Sequence, residues 1–467
     1  MKLGIPPWVA ALGLLLTLAT PHPVQADEPA RVVRNARVYS GPHSRTPRVG
    51  RIDAPAVVTL LDPLGQASYV RVRLDGGLEG FVYSRFVVPA PELRLEATPP
   101  DSPAAMEAVR TDWPLTPDLD PLTGSQMRVH FIDVGQGDAT LFEFPCGVML
   151  VDAGGEMRSE TETHPGFSSA DRLEEYLDGF FDQRTDLDPV IDLFAISHPH
   201  IDHTRGIRVL EDRFPIAHMI DNGTSTFGSG LAQQRRLRKS VQLDPAAEYA
   251  GLQGPVMVPA DADLAVVDPI GACGAGGGDP QIRVLKAPDV EPSQRHDVND
   301  QSLVIRVDFG ESSVLLTGDL EEHGIEELLA DYATRPDLLA ADVHQAGHHG
   351  SSNGSTDELA EAIAPGVLVF SMGPRMRPGK FTADAFGHPR EEAFDMFQAQ
   401  VSCDRDPVTR ELGKKKRRNR PRGWRSERFG EAIFGTGWEG SIVLTLDADG
   451  GIDGWTAADP DPGLICP

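Results

Sequence analysis

Short apolar–polar alternations open the chain. Arg37-Val38-Tyr39, Ala56-Val57-Val58-Thr59-Leu60-Leu61, Tyr69-Val70-Arg71-Val72-Arg73 and Gly80-Phe81-Val82-Tyr83 repeat with a period of two, with Gly and Pro between them. Strands at that density predict a small all-β barrel over residues 30–88. Eight prolines among acidic residues between 89 and 125 end the pattern and predict a semi-rigid linker. From Met127 the periods mix. Short apolar-rich segments at 127–132, 148–151, 191–196, 302–307, 313–316, 341–344 and 367–370 predict strands. Leu173, Tyr176, Leu177, Phe180 and Phe181 fall at helical spacing, and a second helix is expected over about 321–331. Interleaved strands and helices predict an α/β sandwich over residues 126–467. Residues from about 221 to 290 read as a polar, Gly-rich insertion without strong periodicity.

The first 26 residues belong to a different pattern. Lys2 precedes the apolar run Trp8–Ala19, and Val24-Gln25-Ala26 places small residues at the positions a signal peptidase reads. A secretory leader cleaved after Ala26 is expected, because the run falls short of the ~20 apolar residues that span a bilayer. The mature chain has no later transmembrane segment and is expected to be secreted or periplasmic. Composition adds two exclusions. With 43 Lys+Arg against 70 Asp+Glu the net charge is −27, which argues against a general nucleic-acid-coating surface but leaves room for a local basic track. Four cysteines in 467 residues build neither a disulfide miniprotein nor a Cys-rich zinc cluster. In an exported chain they could oxidise. Their pairing stays open, Cys403 with Cys466 being one possibility.

The chemistry concentrates directly after the 191–196 strand, in Ser197-His198-Pro199-His200-Ile201-Asp202-His203. Imidazole and carboxylate are the ligands that zinc and similar divalent ions prefer. Alternation at 198 and 200 lets two imidazoles converge on one ion, while Asp202 and His203 project differently and can hold a second. With 14 His in 467 residues, chance places three at such fixed positions on the order of 10⁻⁵ times per start.

This His-x-His-x-Asp-His pattern resembles the signature of the metallo-β-lactamase superfamily. His130-Phe131-Ile132-Asp133-Val134-Gly135-Gln136-Gly137-Asp138-Ala139, Leu150-Val151-Asp152-Ala153-Gly154-Gly155, Leu315-Leu316-Thr317-Gly318-Asp319, His348-His349-Gly350-Ser351 and Gly387-His388-Pro389 are similar, in the same order, to its competence-type (ComEC-like) hydrolase branch. The resemblance spans about 128–400 and implies the αββα sandwich of that superfamily. Its membrane channel does not carry over. The superfamily's usual Gly-His motif is absent; Asn299-Asp300 stands in its place with His296 nearby, leaving one ligand position open. Upstream, Val38-Tyr39-Ser40-Gly41-Pro42 and Gly80-Phe81-Val82 resemble a bacterial SH3-like domain, which implies a cell-wall or partner contact or an inert spacer.

The resemblance implies two divalent ions, zinc or else manganese or iron. His198 and His200 are expected to hold one, Asp202, His203 and His348 the other, and Asp319 to be shared between them. His349 and His388 are the candidates for protonating a leaving group; His349 is also the fallback ligand or a substrate contact, and His388 is also the candidate for the open ligand position, a structural role being its alternative. Asp133 and Asp152 are expected to orient the histidine loop from behind. Two basic runs interrupt the acidic background: Arg235-Arg236-Leu237-Arg238-Lys239, and a stronger one within 414–428 that includes Lys414, Lys415, Lys416, Arg417, Arg418, Arg420 and Trp424. Such runs track phosphates, and Trp stacks on unpaired bases. The expected function is an exported hydrolase that uses a hydroxide held between two metal ions on a phosphodiester such as DNA. An ester, lactone or β-lactam is the alternative substrate. A wall- or partner-binding protein with a non-catalytic metal domain is the alternative of another class.

Overall fold

The computed structural model describes residues 28–32, 36–41, 48–52, 56–61, 69–74, 78–83, 87–89, 116–117, 120–156, 167–224, 228–253, 266–273, 278–288, 297–375, 382–415 and 423–467. The expected leader, residues 90–115 of the expected linker, His296, Lys416, Arg417, Arg418 and Arg420 lie outside them. The chain divides into two compact units, Met1–Pro103 and Ala104–Pro467.

The first unit is all β. Its strands are β1 (Glu28–Val32), β2 (Ala36–Tyr39), β3 (Arg48–Ile52), β4 (Ala56–Leu60), β5 (Tyr69–Arg73), β6 (Glu79–Tyr83) and β7 (Val87–Pro89). They form one antiparallel sheet in the order β3-β2-β6-β5-β4-β1-β7. Alternation explains it: Val70 and Val72 are buried while Arg71 and Arg73 between them are exposed. One face packs Val32, Val38, Leu60 and Val82 into a core of small β-branched and aliphatic side chains, the surface such residues suit.

The second unit carries β8 (Gln126–Phe131), β9 (Thr140–Phe144), β10 (Gly147–Val151), α1 (Ser169–Gln183), β11 (Ile191–Ile196), α2 (Ile201–Thr204), α3 (Ile207–Arg213), β12 (Ile216–Asp221), α4 (Leu231–Leu243), β13 (Glu248–Gly251) and β14 (Gln281–Lys286). After these come β15 (Val304–Phe309), β16 (Ser312–Leu316), α5 (Glu322–Asp331), β17 (Val343–Gln345), α6 (Asp357–Ile363), β18 (Val367–Phe370), α7 (Ala383–Phe386) and α8 (Glu391–Gln398). The last elements are β19 (Asp404–Gly413), β20 (Trp424–Glu431), β21 (Ile433–Gly435), α9 (Thr436–Glu439), β22 (Ile442–Asp447) and β23 (Ile452–Thr456). Eight strands make one sheet, β13-β12-β11-β10-β9-β8-β22-β23, and six make another, β14-β15-β16-β17-β18-β21.

Strand periodicity stacks these sheets. Met127, Val129 and Phe131 of β8 with Phe142 and Phe144 of β9 meet Ile305, Val307, Val314 and Val343 of the second sheet in a shared apolar layer. The opposite face of the first sheet receives Leu173, Tyr176, Leu177 and Phe180 of α1, the helical stripe legible in the sequence. On the far side of the second sheet, Leu328 of α5, Leu359 of α6 and Phe394 and Phe397 of α8 cover Leu315 and Leu368. The result is the αββα sandwich, in which every sheet face is buried.

Within 221–290, where the sequence shows no strong periodicity, the described residues include α4, β13 and β14. The apolar stripe of α4 is thin, with only Gln234, Leu237 and Val241 buried, so its Arg and Gln residues hid the period. The end of the expected linker is docked rather than loose. Thr116 Oγ1 donates to the Tyr176 carbonyl, and Gln183 Nε2 donates to the Pro117 carbonyl at 2.8 Å. Of the basic C-terminal segment, residues 424–428 lie in β20, which pairs antiparallel with β19. The four cysteines pair as Cys146–Cys273 and Cys403–Cys466. Among the described residues no helix is long and apolar enough to cross a membrane.

Candidate metal centre

β8, β10 and β11 run in one direction, as do β16, β17 and β18. The loops that follow them therefore open on one edge of the sandwich. The histidine loop leaves β11 there. Pro199 holds the residue before it out of helical conformation, and His200 is still extended (φ −85°, ψ 158°) when α2 begins at Ile201. His198 and His200 thus project from extended backbone, and Asp202 and His203 from a helical turn. Gly318, after β16, delivers Asp319. Its φ is +54°, and a Cβ there would meet Ser302 at 2.9 Å and Ser197 at 3.1 Å, so glycine is required.

The side chains converge. His198 Nε2 lies 3.0 Å from His200 Nδ1 and 3.7 Å from Asp319 Oδ2. His203 Nε2 lies 3.2 Å from Asp319 Oδ1. His349 Nε2 lies 3.5 Å from Asp202 Oδ2 and 3.6 Å from Asp319 Oδ2. Three groups with ligand atoms close enough for one ion result among the described residues: His198, His200 and Asp319; Asp202, His203, Asp319 and His349; and, behind His203, Asp138 with Asp152 and His203. Asp319 belongs to the first two.

His203 and His349 are aimed from behind. Asp152, in left-handed backbone (φ 57°), accepts from His203 Nδ1 at 2.7 Å and from the Ser197 amide and hydroxyl at 2.8 and 2.6 Å. Asp138 Oδ1 and the Ser371 carbonyl accept from His349 Nδ1 at 3.1 and 3.0 Å. With Nδ1 donating, Nε2 presents a lone pair to the cluster, the tautomer a metal ligand needs.

The residues fit divalent cations on two counts. Asp202 Oδ1, His203 Nε2, Asp319 Oδ1 and His349 Nε2 are all buried without a hydrogen-bond partner, and an orphaned buried polar atom costs about 1–3 kcal/mol. Charge balance agrees. Burial pulls the His203 and His349 imidazoles down, but Asp319 with Asp152 or Asp138 outweighs it and holds both well above the usual histidine value. Burial raises Asp319, yet His203, His349 and His348 hold it well below the carboxylate range. The pocket thus requires positive charge, which a cation supplies without protonating its own ligands. Two imidazoles and two carboxylates suit zinc, manganese or iron.

Several expected roles shift. His348 does not join Asp202 and His203; His349 does. Both have left-handed backbone (φ 50° and 55°), but His349 is clamped by Asp138 and Ser371. His348 turns outward, its Nδ1 3.5 Å from Glu321 and its Nε2 3.8 Å from Asp319 Oδ2. Asp133 supports a different element: Arg172 pairs with its carboxylate at 2.9 Å, and the Gly135 amide donates to it at 3.1 Å. Its expected place behind the histidines is taken by Asp138, five residues on in the same Gly-rich stretch. Neither Asn299 nor Asp300 fills the open ligand position. Asn299 donates to Glu321, and Asp300 accepts from the Glu321 and Gly324 amides at the start of α5. Ser302 was missed; its hydroxyl takes the Asp319 amide at 3.0 Å and touches His198 Nδ1 at 3.3 Å.

His388 is buried beside the cluster, its ring centre 6.3 Å from those of His348 and His349. Burial first, and then the charges of those two histidines, push its pKa well below the ordinary value. The far end of β19 packs on the same loop: the Gly413 amide donates to the Pro389 carbonyl at 2.9 Å. Lys414 and Lys415 extend from its end and are exposed. Trp424 opens β20 with the Arg375 guanidinium 4.6 Å from its ring centre. The weaker basic run lies on α4, where Arg236 pairs with Glu211 and Arg238 with Asp221.

Comparison with known proteins agrees with this geometry. The profile of the Metallo-beta-lactamase superfamily matches residues 132–373. ComE operon protein 3 of Bacillus subtilis (strain 168) is 25% identical over 291 residues, 60% of this chain and 31% of that protein. Competence protein ComA of Neisseria gonorrhoeae is 35% identical over 112 residues, 24% of this chain and 15% of that protein. The chain thus spans less than a third of the length of either relative. Among solved structures, the metallo-beta-lactamase fold protein YhfI from Bacillus subtilis aligns with a TM-score of 0.33 and 16% identity, covering 58% of this chain and 93% of that one.

Proposed function

Because the chain belongs to the metallo-β-lactamase superfamily, in its competence-type branch, we propose that it is an exported metal-dependent phosphodiesterase acting on nucleic acid. One observation carries the reading: two ligand groups share Asp319, and the far end of β19, which leads into Lys414 and Lys415, is hydrogen-bonded to the loop that holds His388. Cations held by two groups that share a carboxylate would offset charge on the attacking and leaving oxygens of a phosphodiester, and exposed lysines nearby attract a polyanion. The competence relatives support a DNA-related substrate. For export, the support is the leader-like first 26 residues and the pairing of all four cysteines, which oxidising compartments favour.

His198, His200 and Asp319 would hold one divalent ion, and Asp202, His203, His349 and Asp319 the other. Bound there, such ions lower the pKa of coordinated water from 15.7 towards ~7 and offset charge developing on phosphoryl oxygens. The protein's own part is positioning. Asp152 keeps the His203 proton on Nδ1, and Asp138 with Ser371 keeps that of His349 on Nδ1. Ser197 and Ser302 hydroxyls brace His198 Nδ1 at 3.2 and 3.3 Å. His349, committed to the cluster, is not free to protonate a leaving group.

The test is turnover by the zinc- or manganese-reconstituted full chain on single-stranded DNA, bis(p-nitrophenyl) phosphate and a β-lactam. Hydrolysis of DNA and of the phosphodiester chromogen, abolished by a chelator, is expected. Turnover of the β-lactam alone would replace the phosphodiester reading with the lactam one. A metal-loaded protein inert on all three would remove the enzyme reading.

A further inference from the structure

The side-chain amide of Gln136 fixes the protonation of His388, 252 positions away. The Gly373 amide can only donate, and it lies 3.2 Å from one end of the Gln136 side chain, so that end is the carbonyl oxygen. The other end is then NH₂, and it donates to His388 Nδ1 at 3.0 Å. Nδ1 is therefore a lone pair, and the ring proton resides on Nε2. The approach is tight: a Cβ on Gly373 would meet the Gln136 backbone nitrogen at 3.0 Å and its Cβ at 3.4 Å. Gln136 itself is 1% exposed, which leaves its amide no water to turn towards.

This tautomer removes both roles expected of His388. A metal ligand needs a lone pair on the free nitrogen, and here that nitrogen carries the proton. A proton donor to a leaving group needs an imidazolium, and a proton on Nδ1 would face the Gln136 NH₂. What remains is a fixed N–H donor. The ring is stacked on Phe386 at 5.3 Å, and Nε2 has no hydrogen-bond partner among the described residues.

We propose that His388 binds a non-bridging oxygen of the substrate's phosphoryl group through Nε2–H, and that Gln136 is the positioning residue that sets its tautomer. The proposal rests on the phosphodiester reading of the site. A donor fixed where negative charge accumulates acts without reorganising, and a hydrogen bond to a charged group changes affinity by about tenfold or more.

The test uses the zinc-loaded full chain with ¹⁵N-labelled histidine, the His388 signals being assigned by their loss in His388→Gln. Nitrogen shifts and two-bond couplings report the tautomer, and inorganic phosphate titrated calorimetrically reports the oxyanion contact. Wild type should show a pyridine-like Nδ1 and a protonated Nε2. His388→Gln, which keeps an N–H donor, should retain most phosphate affinity, while His388→Phe should lose about tenfold. In Gln136→Glu both ends of the side chain accept, so the proton moves to Nδ1 and affinity falls as in His388→Phe, with Gln136→Met intermediate. A wild-type proton on Nδ1 would overturn the His388 assignment whatever the substrate. The expected tautomer without phosphate affinity would overturn both the contact and the phosphodiester reading. Equal affinity in wild type and His388→Phe would overturn the contact alone.

Discussion

Two buried clusters of charge flank the first sheet of the second unit, and they treat their polar atoms in opposite ways. On the α1 side of β8 and β9, Glu143 receives Arg184 at 2.6 Å, His130 Nε2 at 3.1 Å and Arg128 at 3.3 Å. Tyr176 closes the set by donating to His130 Nδ1 at 2.8 Å. None of these side chains has an orphaned buried atom, whereas four residues at the sheet edge each have one. Both clusters are ionic and buried, but only one is incomplete. A saturated network holds the fold, and a network with convergent vacant donors is built to receive something.

Removing the shared ligand tests the incomplete cluster most severely. Asp319→Ala should lower phosphodiester turnover by about 10³-fold, several kcal/mol of transition-state stabilisation. Metal content by mass spectrometry should fall with it, while the first unit's β-sheet circular dichroism is unchanged. The mirror experiment is Glu143→Ala, which leaves Arg128 and Arg184 buried without their carboxylate. It should cost about 3–5 kcal/mol in urea unfolding followed by Trp fluorescence, with metal per folded molecule unchanged. If that variant lost metal instead, the division between the clusters would fail.

Acid should separate them next. Burial raises Glu143, but the hydrogen bond and charge of His130, the charge of Arg128 and the Arg184 hydrogen bond bring it down to about 2 from 4.5. A carboxylate with a depressed folded pKa contributes stability above its unfolded value and loses it as pH falls through the folded one. About 3 kcal/mol should therefore disappear between about pH 4.5 and 2. Burial keeps His130 below the ordinary histidine value, so its protonation on unfolding acts in the same direction from about pH 6.5 downward. In Glu143→Gln the pH 4.5–2 part of the loss should shrink. The smallest expected effect is Asp152→Asn. It removes the acceptor that orients His203, and zinc affinity measured by competition with a chelating dye should weaken by about 10–100-fold.

Local spacing made much of this readable. The 191–196 strand, the α1 stripe and the histidine loop are each contiguous, so periodicity and ligand chemistry point to them directly. His203 and Asp202 lay in one motif, and Asp319 ended a strand whose Gly318 only glycine can occupy. Asp138 was not distinguished from Asp133, because both are carboxylates in one Gly-rich turn and nothing local says which faces the histidines. The order of His348 and His349 was equally hidden: adjacent residues diverge, and only the clamp from Asp138 and Ser371 selects one. α4 escaped because its buried stripe is three residues wide. The hairpin escaped because charge dominates its sequence.

The amino-acid order alone determined the sandwich, the presence of a metal-type ligand loop and the β-rich first unit, since each follows from a short-range period or motif that survives without partners. Tertiary structure decided which carboxylate stands behind which imidazole, how the cysteines pair, and that Gln136 governs His388. Those outcomes depend on distances between segments brought together by sheet stacking. A hydrogen bond's strength falls away within an ångström of its optimum, a length that spacing along a chain does not encode.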